Sequence, residues 1–553
     1  MKITPYKVKQ SLFYSSREKW WFIGFSMLMT GGILTEPQMI TAFLLKGNLS
    51  GMWLVWSAGL GLAFGIVFFA HLWRRLPVKT ENELLIYRFS GTGSKWLHIF
   101  RSLYVGGIVA PLGMSMVFLA FTRVLEILLN ISFDQALLAI FIIMGLGTFF
   151  NSLRNRIRMD FIYFLIFLIT LLLIFWLLNV RLGSISDIKD AIKGSHLNFR
   201  LFPKFGTNAF TAFIVFISVQ WWAAGIIDLP STEGQKLMAA RSSETIARSI
   251  ILPRILFAFF LIVISIIPFY ILLIEPSLLN GVDKETAFVL IFKEALVGNE
   301  KWLAVVFFSI PFFVLSHNLQ NWSGSLLVQN FYKHYINSHA SDKHLSVVGT
   351  FAMLGVISLA TIITFFSDSV LGITKYFLTI TAGVGPVFIL RWYWHRVNAW
   401  AQLSAMTMSL ILPTAYDLLF THTIWYSSLV NNFMNWLHMD YFPLKIIILS
   451  TIVTIIWIIV MYATPPTSKF TLNRFANRVQ PGGRWPIKNS GNFNFFQRLI
   501  IAFILSGNFI LIYVILWQLV NEFYIFSILL FAGHVFTMLV AYKLLQKVNK
   551  PNG

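Results

Sequence analysis

Residues 20–45 read WWFIGFSMLMTGGILTEPQMITAFLL. A run of this length can cross the hydrocarbon core of a bilayer, which takes roughly 20 apolar residues. Its middle, however, holds Gly31, Gly32, Thr35, Glu36, Pro37 and Gln38. Pro37 has no N–H to donate and crowds the preceding turn. Paired glycines followed by a proline therefore predict an unwound segment inside a membrane helix. Unwound backbone at that depth survives only where protein or a water-filled cavity covers it.

A second stretch repeats the pattern. Residues 209–234 read AFTAFIVFISVQWWAAGIIDLPSTEG, interrupted by Gly225, Asp228 and Pro230. By the criterion of roughly 20 apolar residues, about fourteen runs are found along the chain. They are 20–45, 52–73, 102–127, 135–151, 160–179, 207–229, 250–275, 302–328, 347–366, 374–392, 399–419, 444–463, 499–518 and 523–545. The two breaks open the first and the second group of five runs. Interrupted helices in corresponding positions of two inverted halves point to a transporter's binding site. The plainer alternative is a proline kink in a packed bundle.

Composition agrees with the bilayer. The chain has 553 residues, 57% hydrophobic, 16% aromatic and only 12% charged, with a mean hydropathy of +0.73. A soluble domain carries about twice that charged fraction. Residues 1–19 are polar and basic with no apolar core, so no cleavable signal peptide is expected. With no cysteine, disulfides, thiolate metal sites and a cysteine nucleophile are excluded.

The net charge of +21 follows from topology. If alternate loops lie on opposite sides, the N-terminal side holds roughly 30 Lys and Arg and the other side roughly 10. Both termini are therefore expected in the cytoplasm of a cell with this chain in its plasma or inner membrane, and no nucleic acid is required as a partner. Residues 421–443 are read as a loop free of basic residues, and 464–498 as an irregular cytoplasmic linker rich in Pro, Gly and Asn. In 276–301, a short amphipathic helix is expected from Lys284 to Leu296.

At these residues the chain resembles the sodium:solute symporter family, which includes sodium-coupled sugar, proline and pantothenate carriers. Four segments carry the resemblance: TGGILTEPQ in the first run; the Trp-rich end of the sixth run with Gln235-Lys236 and Ala239-Ala240-Arg241-Ser242 beyond it; FRSLYVGG at 100–107; and NFYKHY at 330–335. The resemblance covers roughly residues 20–395. It implies an all-α polytopic protein of about fourteen spans, with a five-plus-five inverted-repeat core (20–179 and 207–392). Additional helices follow over 396–545, then a tail at 546–553. It further implies ion-binding carbonyls at Gly31 and Leu34. The matching hydroxyl positions fall on Val314 and Leu315, which offer no oxygen; a shift of one or two residues brings Ser316 and His317 there. The family implies no redox cofactor; sodium is the expected coupling ion and a proton the alternative.

Ionisable and polar groups inside spans are costly, so each is a candidate for function. Glu36 and Asp228 sit at the two breaks, where a carboxylate either handles a cation or proton or caps a half-helix N-terminus. Gln38 matches the family's substrate-contacting glutamine. Trp221 either lines a pocket or sits at an interface. The segment VLSHNLQNWSGS at 314–325, with Ser316, His317 and Asn321, is too polar to face lipid. Arg123 and Glu126, three apart, are expected to pair, and His71 and Arg254 to reach towards the membrane surface. No HExxH, GxSxG or P-loop pattern supports an enzyme or an ATP-driven pump. The expected function is secondary transport of a small polar or anionic solute. The competing readings are a sensor or scaffold that keeps the fold, and a proton-coupled or uncoupled permease.

Overall fold

The computed structural model describes residues 18–30, 34–78, 80–148, 153–194, 200–223, 227–229, 232–240, 243–279, 283–485 and 494–549. Helices dominate. No strand occurs among these residues, only isolated bridges such as Glu18 with Ala240 and Trp394 with Arg484.

The first run folds as two helices, α1 (Trp20–Met29) and α2 (Glu36–Leu45). Glu36 and Pro37 fall in the first turn of α2, where a proline's missing N–H costs nothing and an acidic side chain faces the positive helix end. Next come α3 (Leu49–Phe68), α4 (Gly91–Leu129) and α5 (Phe133–Gly147), then α6 (Leu153–Arg181). The sixth run gives α7 (Asn208–Ala223) and, past the break, α8 (Thr232–Ala239). They are followed by α9 (Ile246–Leu273), α10 (Ala287–Ala295), α11 (Gly298–Ile336) and α12 (Asp342–Phe365). Then come α13 (Val370–Ile380), α14 (Gly385–Tyr393) and α15 (Ala399–His422). The chain continues as α16 (Ile424–Leu437), α17 (Tyr441–Ala463), α18 (Lys469–Val479), α19 (Phe495–Val520) and α20 (Tyr524–Asn549).

Ten of the described helices are long and apolar enough to cross a membrane, or eleven when α13 and α14, bent by 45°, count as one span. The remaining expected spans correspond to the shorter apolar helices α1, α5 and α7. In the first and sixth runs the breaks cut the helices short.

Caps are sequence-encoded. Ser132 and Gln135 form a capping box at α5, and the side chains of Thr207, Ser341, Ser369, Asn398 and Ser468 accept backbone N–H groups at their helix starts. The buried Glu285 carboxylate does the same for α13, accepting from Val370 and Leu371 N–H at 2.7 and 3.1 Å.

Four segments differ from the sequence reading. The loop expected at 421–443 contains α16, which buries Val430 but leaves several apolar side chains outward, Ile424 88% and Trp436 74% exposed. The linker expected to be irregular contains α18, begun by Ser468 and stopped by Gln480 in the left-handed region (φ 49°). Its Pro and Gly residues flank that helix, Pro465 and Pro466 before it and Pro481, Gly482 and Gly483 after it, and 486–493 fall outside the described residues. The amphipathic helix expected at 284–296 is present in the shorter span of α10, with Ala287 through Phe292 buried and Lys293 and Glu294 exposed. The tenth run, read as one span, breaks at Thr381–Val384, with Gly383 at φ +86°.

Packing around the first run is divided. α1 lies against α6 and the first part of α9, whereas α2 lies against α10 and the last turns of α9, residues 267–273. The α1–α9 crossing is close because Gly24 has no side chain; a Cβ there would collide with the Pro253 ring and the Ser249 carbonyl. The C-terminal pair α19–α20 packs on itself and onto α3 and α9. Arg123 and Glu126 are paired at 2.9 Å.

Candidate functional site

α1 ends at Met29 and α2 begins at Glu36. Gly31, Gly32 and Ile33 lie outside the described residues, so the carbonyl expected to bind an ion at Gly31 is not placed; Leu34 is fully buried. Two cavities meet at this break, and Thr30 and Glu233 line both.

The first cavity measures 320 Å³. Its walls come from the break itself (Thr30, Thr35), from α4 (Arg101 to Val117), from α11 (Leu315 to Trp322) and from α13, α14 and α15. Most of the wall is apolar, with a few polar groups from Thr35, Asn318, Thr381 and Ser409. That is the usual make-up of a small-molecule site. Arg101 is held by the Glu81 carboxylate, both oxygens at 2.9 Å, and by Asn82 Oδ1 at 2.9 Å. Trp322 Nε1–H donates to the same Glu81 at 2.8 Å. The guanidinium thus reaches the cavity already paired, its orientation fixed by a bidentate partner.

The second cavity, 440 Å³, lies between α1, α3, α9 and the α19–α20 pair. Glu36, Arg254, Asn508, Tyr513 and His534 line it. The Glu36 carboxylate accepts from Trp56 Nε1–H at 2.8 Å and from the Tyr513 hydroxyl at 3.0 Å. Arg254 therefore faces a cavity and bonds to the Ile250 carbonyl at 2.7 Å. His71 is buried beside Arg498, at 3.4 Å. Neither reaches for the surface as expected, because both lie against neighbouring helices.

Three other groups named from the sequence line neither cavity. Gln38 is buried and donates to the Ala120 carbonyl at 3.2 Å. Trp221 donates to Ile217 at 2.7 Å and packs on Phe64. Asn321 donates to Gln235 Oε1 at 3.4 Å.

Asp228, at the second break, is sealed in the interior. Its carboxylate accepts from Arg391 at 2.6 and 3.0 Å and from Trp392 Nε1–H at 2.8 Å. Arg391 and Asp228 are 1% and 0% exposed. The backbone closes the same junction. Gly383 N–H donates to the Ala223 carbonyl at 3.0 Å, and a Cβ at Gly385 would collide with the Trp222 carbonyl. The break in the tenth run thus packs into the break in the sixth.

On α11, Ser316 is fully buried with its hydroxyl unbonded. The His317 carbonyl accepts from Arg156, and its ring stacks on Phe313. Sequence reading passed over three buried charges, Asp160, Lys236 and Arg391. The rule that an ionisable group inside a span is suspect marks Asp160 and Arg391, each at the edge of an apolar run.

The profile of the sodium:solute symporter family matches residues 40–409. Among curated proteins, the high-affinity proline transporter PutP of Bacillus subtilis (strain 168) is 33% identical over 86 residues, 15% of this chain and 18% of that protein. The osmoregulated proline transporter OpuE of the same organism is 28% identical over 86 residues, again 15% and 18%. Both matches therefore span under a fifth of the relative. Among solved structures, a substrate-bound, outward-open Na+-coupled sialic acid symporter superposes with a TM-score of 0.60 at 17% identity. That superposition covers 83% of this chain and 93% of the symporter, and at this identity it speaks for the fold. With its many apolar helices and a family profile over most of its length, the chain is a multi-pass membrane protein of the sodium:solute symporter family, a family of cation-coupled solute transporters.

Proposed function

We propose that the chain carries a small polar or anionic solute across the cell membrane by alternating access, through the 320 Å³ cavity at the first break. One observation carries this reading: the cavity is enclosed by the broken helix, which runs into the segment that matches the family, and by α4, α11 and α13–α14, which lie within that segment. Its apolar walls with a few hydroxyl and amide groups suit a solute with a small apolar body and one polar end. The two proline-carrying relatives make proline the first solute to try. We also propose the inverted-repeat arrangement (20–179 and 207–392), the fourteen-crossing topology and cytoplasmic termini. These rest on the register of the breaks and the charge asymmetry of the loops. Sodium or a proton drives the movement, with Glu36, Ser316 and His317 the sequence-derived candidates for coupling.

The test is uptake of labelled proline, then of a panel of amino acids and small organic anions, into proteoliposomes under a sodium or proton gradient. Met116→Trp fills the cavity with an indole and is expected to reduce uptake by about tenfold or more while the protein stays folded. Gradient-independent silence across the panel overturns the reading.

A further inference from the structure

A half-helix that stops inside the membrane ends in carbonyls without intrahelical donors, at the negative pole of its dipole. Such ends are where transporters hold coupling cations. At the end of α1 the Thr30 N–H turns to the Leu28 carbonyl, which leaves the Ser26 carbonyl without the backbone donor it would have in a continued helix. That place is taken by the protein's own ammonium. Lys236, on α8 and 1% exposed, donates from Nζ to the Ser26 carbonyl at 2.8 Å and to Thr30 Oγ1 at 3.4 Å.

The surroundings are those of a cation site. The carboxylates of Asp160, on α6, and Glu233, on α8, are the negative groups that act on the ammonium. Asp160 is 3% exposed. It accepts the Ser26 hydroxyl and, at 3.5 Å, the Asn318 amide from α11. Two further cations act on these acids, Arg156 on Asp160 and Arg254 on Glu233. Thr30 and Glu233, which flank the ammonium, also line both cavities. The charge therefore sits between the solute space and the three elements α1, α6 and α11.

We propose that Lys236 is a tethered coupling cation: its ammonium occupies the cation place at the α1 break, so that no free sodium ion binds there. This rests on the transporter reading above and deepens it. A second cation at the same carbonyl would stand within a few ångströms of a fixed positive charge in a low-dielectric interior, where repulsion is strong.

Thermal unfolding of the purified full-length protein in sodium, potassium or choline chloride, at fixed pH and ionic strength, tests it without any solute. The wild type is expected to show no sodium-specific shift. Lys236→Ala vacates the place and takes the ammonium away from Asp160 and the Ser26 carbonyl, so sodium is expected to raise its midpoint by about 2–4 °C. Asp160→Asn in that background is expected to abolish the gain. Lys236→Gln, which keeps a donor to Ser26 without the charge, serves if the alanine variant does not fold. A sodium-specific shift in the wild type that Asp160→Asn removes overturns the proposal. So does a folded Lys236→Ala or Lys236→Gln protein that ignores sodium, since Lys236 is then only a structural anchor. Failure of the transporter reading shows separately, as absent uptake in proteoliposomes whatever the melts report.

Discussion

The chain has two breaks that look alike in sequence and behave oppositely in the structure. Each combines small residues, a carboxylate and a proline. The first opens onto both cavities, and its Glu36 touches only the neutral donors Trp56 and Tyr513. The second is closed on itself, its Asp228 locked to Arg391 and Trp392 and its backbone plugged by Gly383 and Gly385. A carboxylate at an interrupted helix thus does not declare its role. The partner decides, and a full countercharge turns a candidate site into a joint.

Four measurements break or sharpen this contrast. Asp228→Ala strands the Arg391 guanidinium in the interior, at a cost of about 3–5 kcal/mol. Loss of monodisperse protein on size exclusion is expected. Joint replacement of Asp228 and Arg391 by leucine is expected to recover most of the loss; if Asp228→Ala melts like the wild type, the second break is not a seal. Gly385→Ala forces a methyl group against the Trp222 carbonyl, a backbone atom that cannot rotate away. About 2–3 kcal/mol of destabilisation is expected in thermal unfolding. Glu36→Ala removes one acceptor from two donors that face a cavity, and a milder loss of about 1–2 kcal/mol is expected. A loss at Glu36 as large as that at Asp228 would erase the contrast.

The smallest effect lies outside both breaks. Lys189, in the segment between α6 and α7, pairs with Glu522 in the turn between α19 and α20. The hydrogen bond from Lys189 holds the Glu522 carboxyl below its ordinary pKa, and the same bond raises the pKa of Lys189. A lowered carboxyl pKa stabilises the fold above the unfolded-state value of about 4.3 and stops doing so as pH falls through the folded one. Glu522→Gln is therefore expected to shift the midpoint by less than about 1 °C at neutral pH. The difference should vanish at high salt and in acid.

Much of the fold was legible because bilayer crossing imposes length and polarity on each segment. The interruption near Gly31–Pro37 was legible because Gly and Pro act through their own backbones. What the sequence could not convey was pairing at a distance. Arg391 meets Asp228 across 163 positions, and the Lys236 ammonium meets Ser26 across 210. The break at Thr381–Val384 was hidden as well. Its Gly383 and Pro386 sit among apolar neighbours that fill a hydropathy window as well as any unbroken helix. Helices α16 and α18 were missed for the opposite reason: eleven to fourteen residues with mixed polarity fall below the span criterion.

The divided packing of the first run has a mechanical consequence. α1 is clasped by the first part of α9 through the Gly24–Pro253 contact, while α2 lies on the last turns of the same helix, residues 267–273, and on α10. Both halves of the cut rod thus lie along one helix, which bridges the break as a splint does. A displacement of α9 therefore reaches both halves together, while α6 bears on the first and α10 on the second.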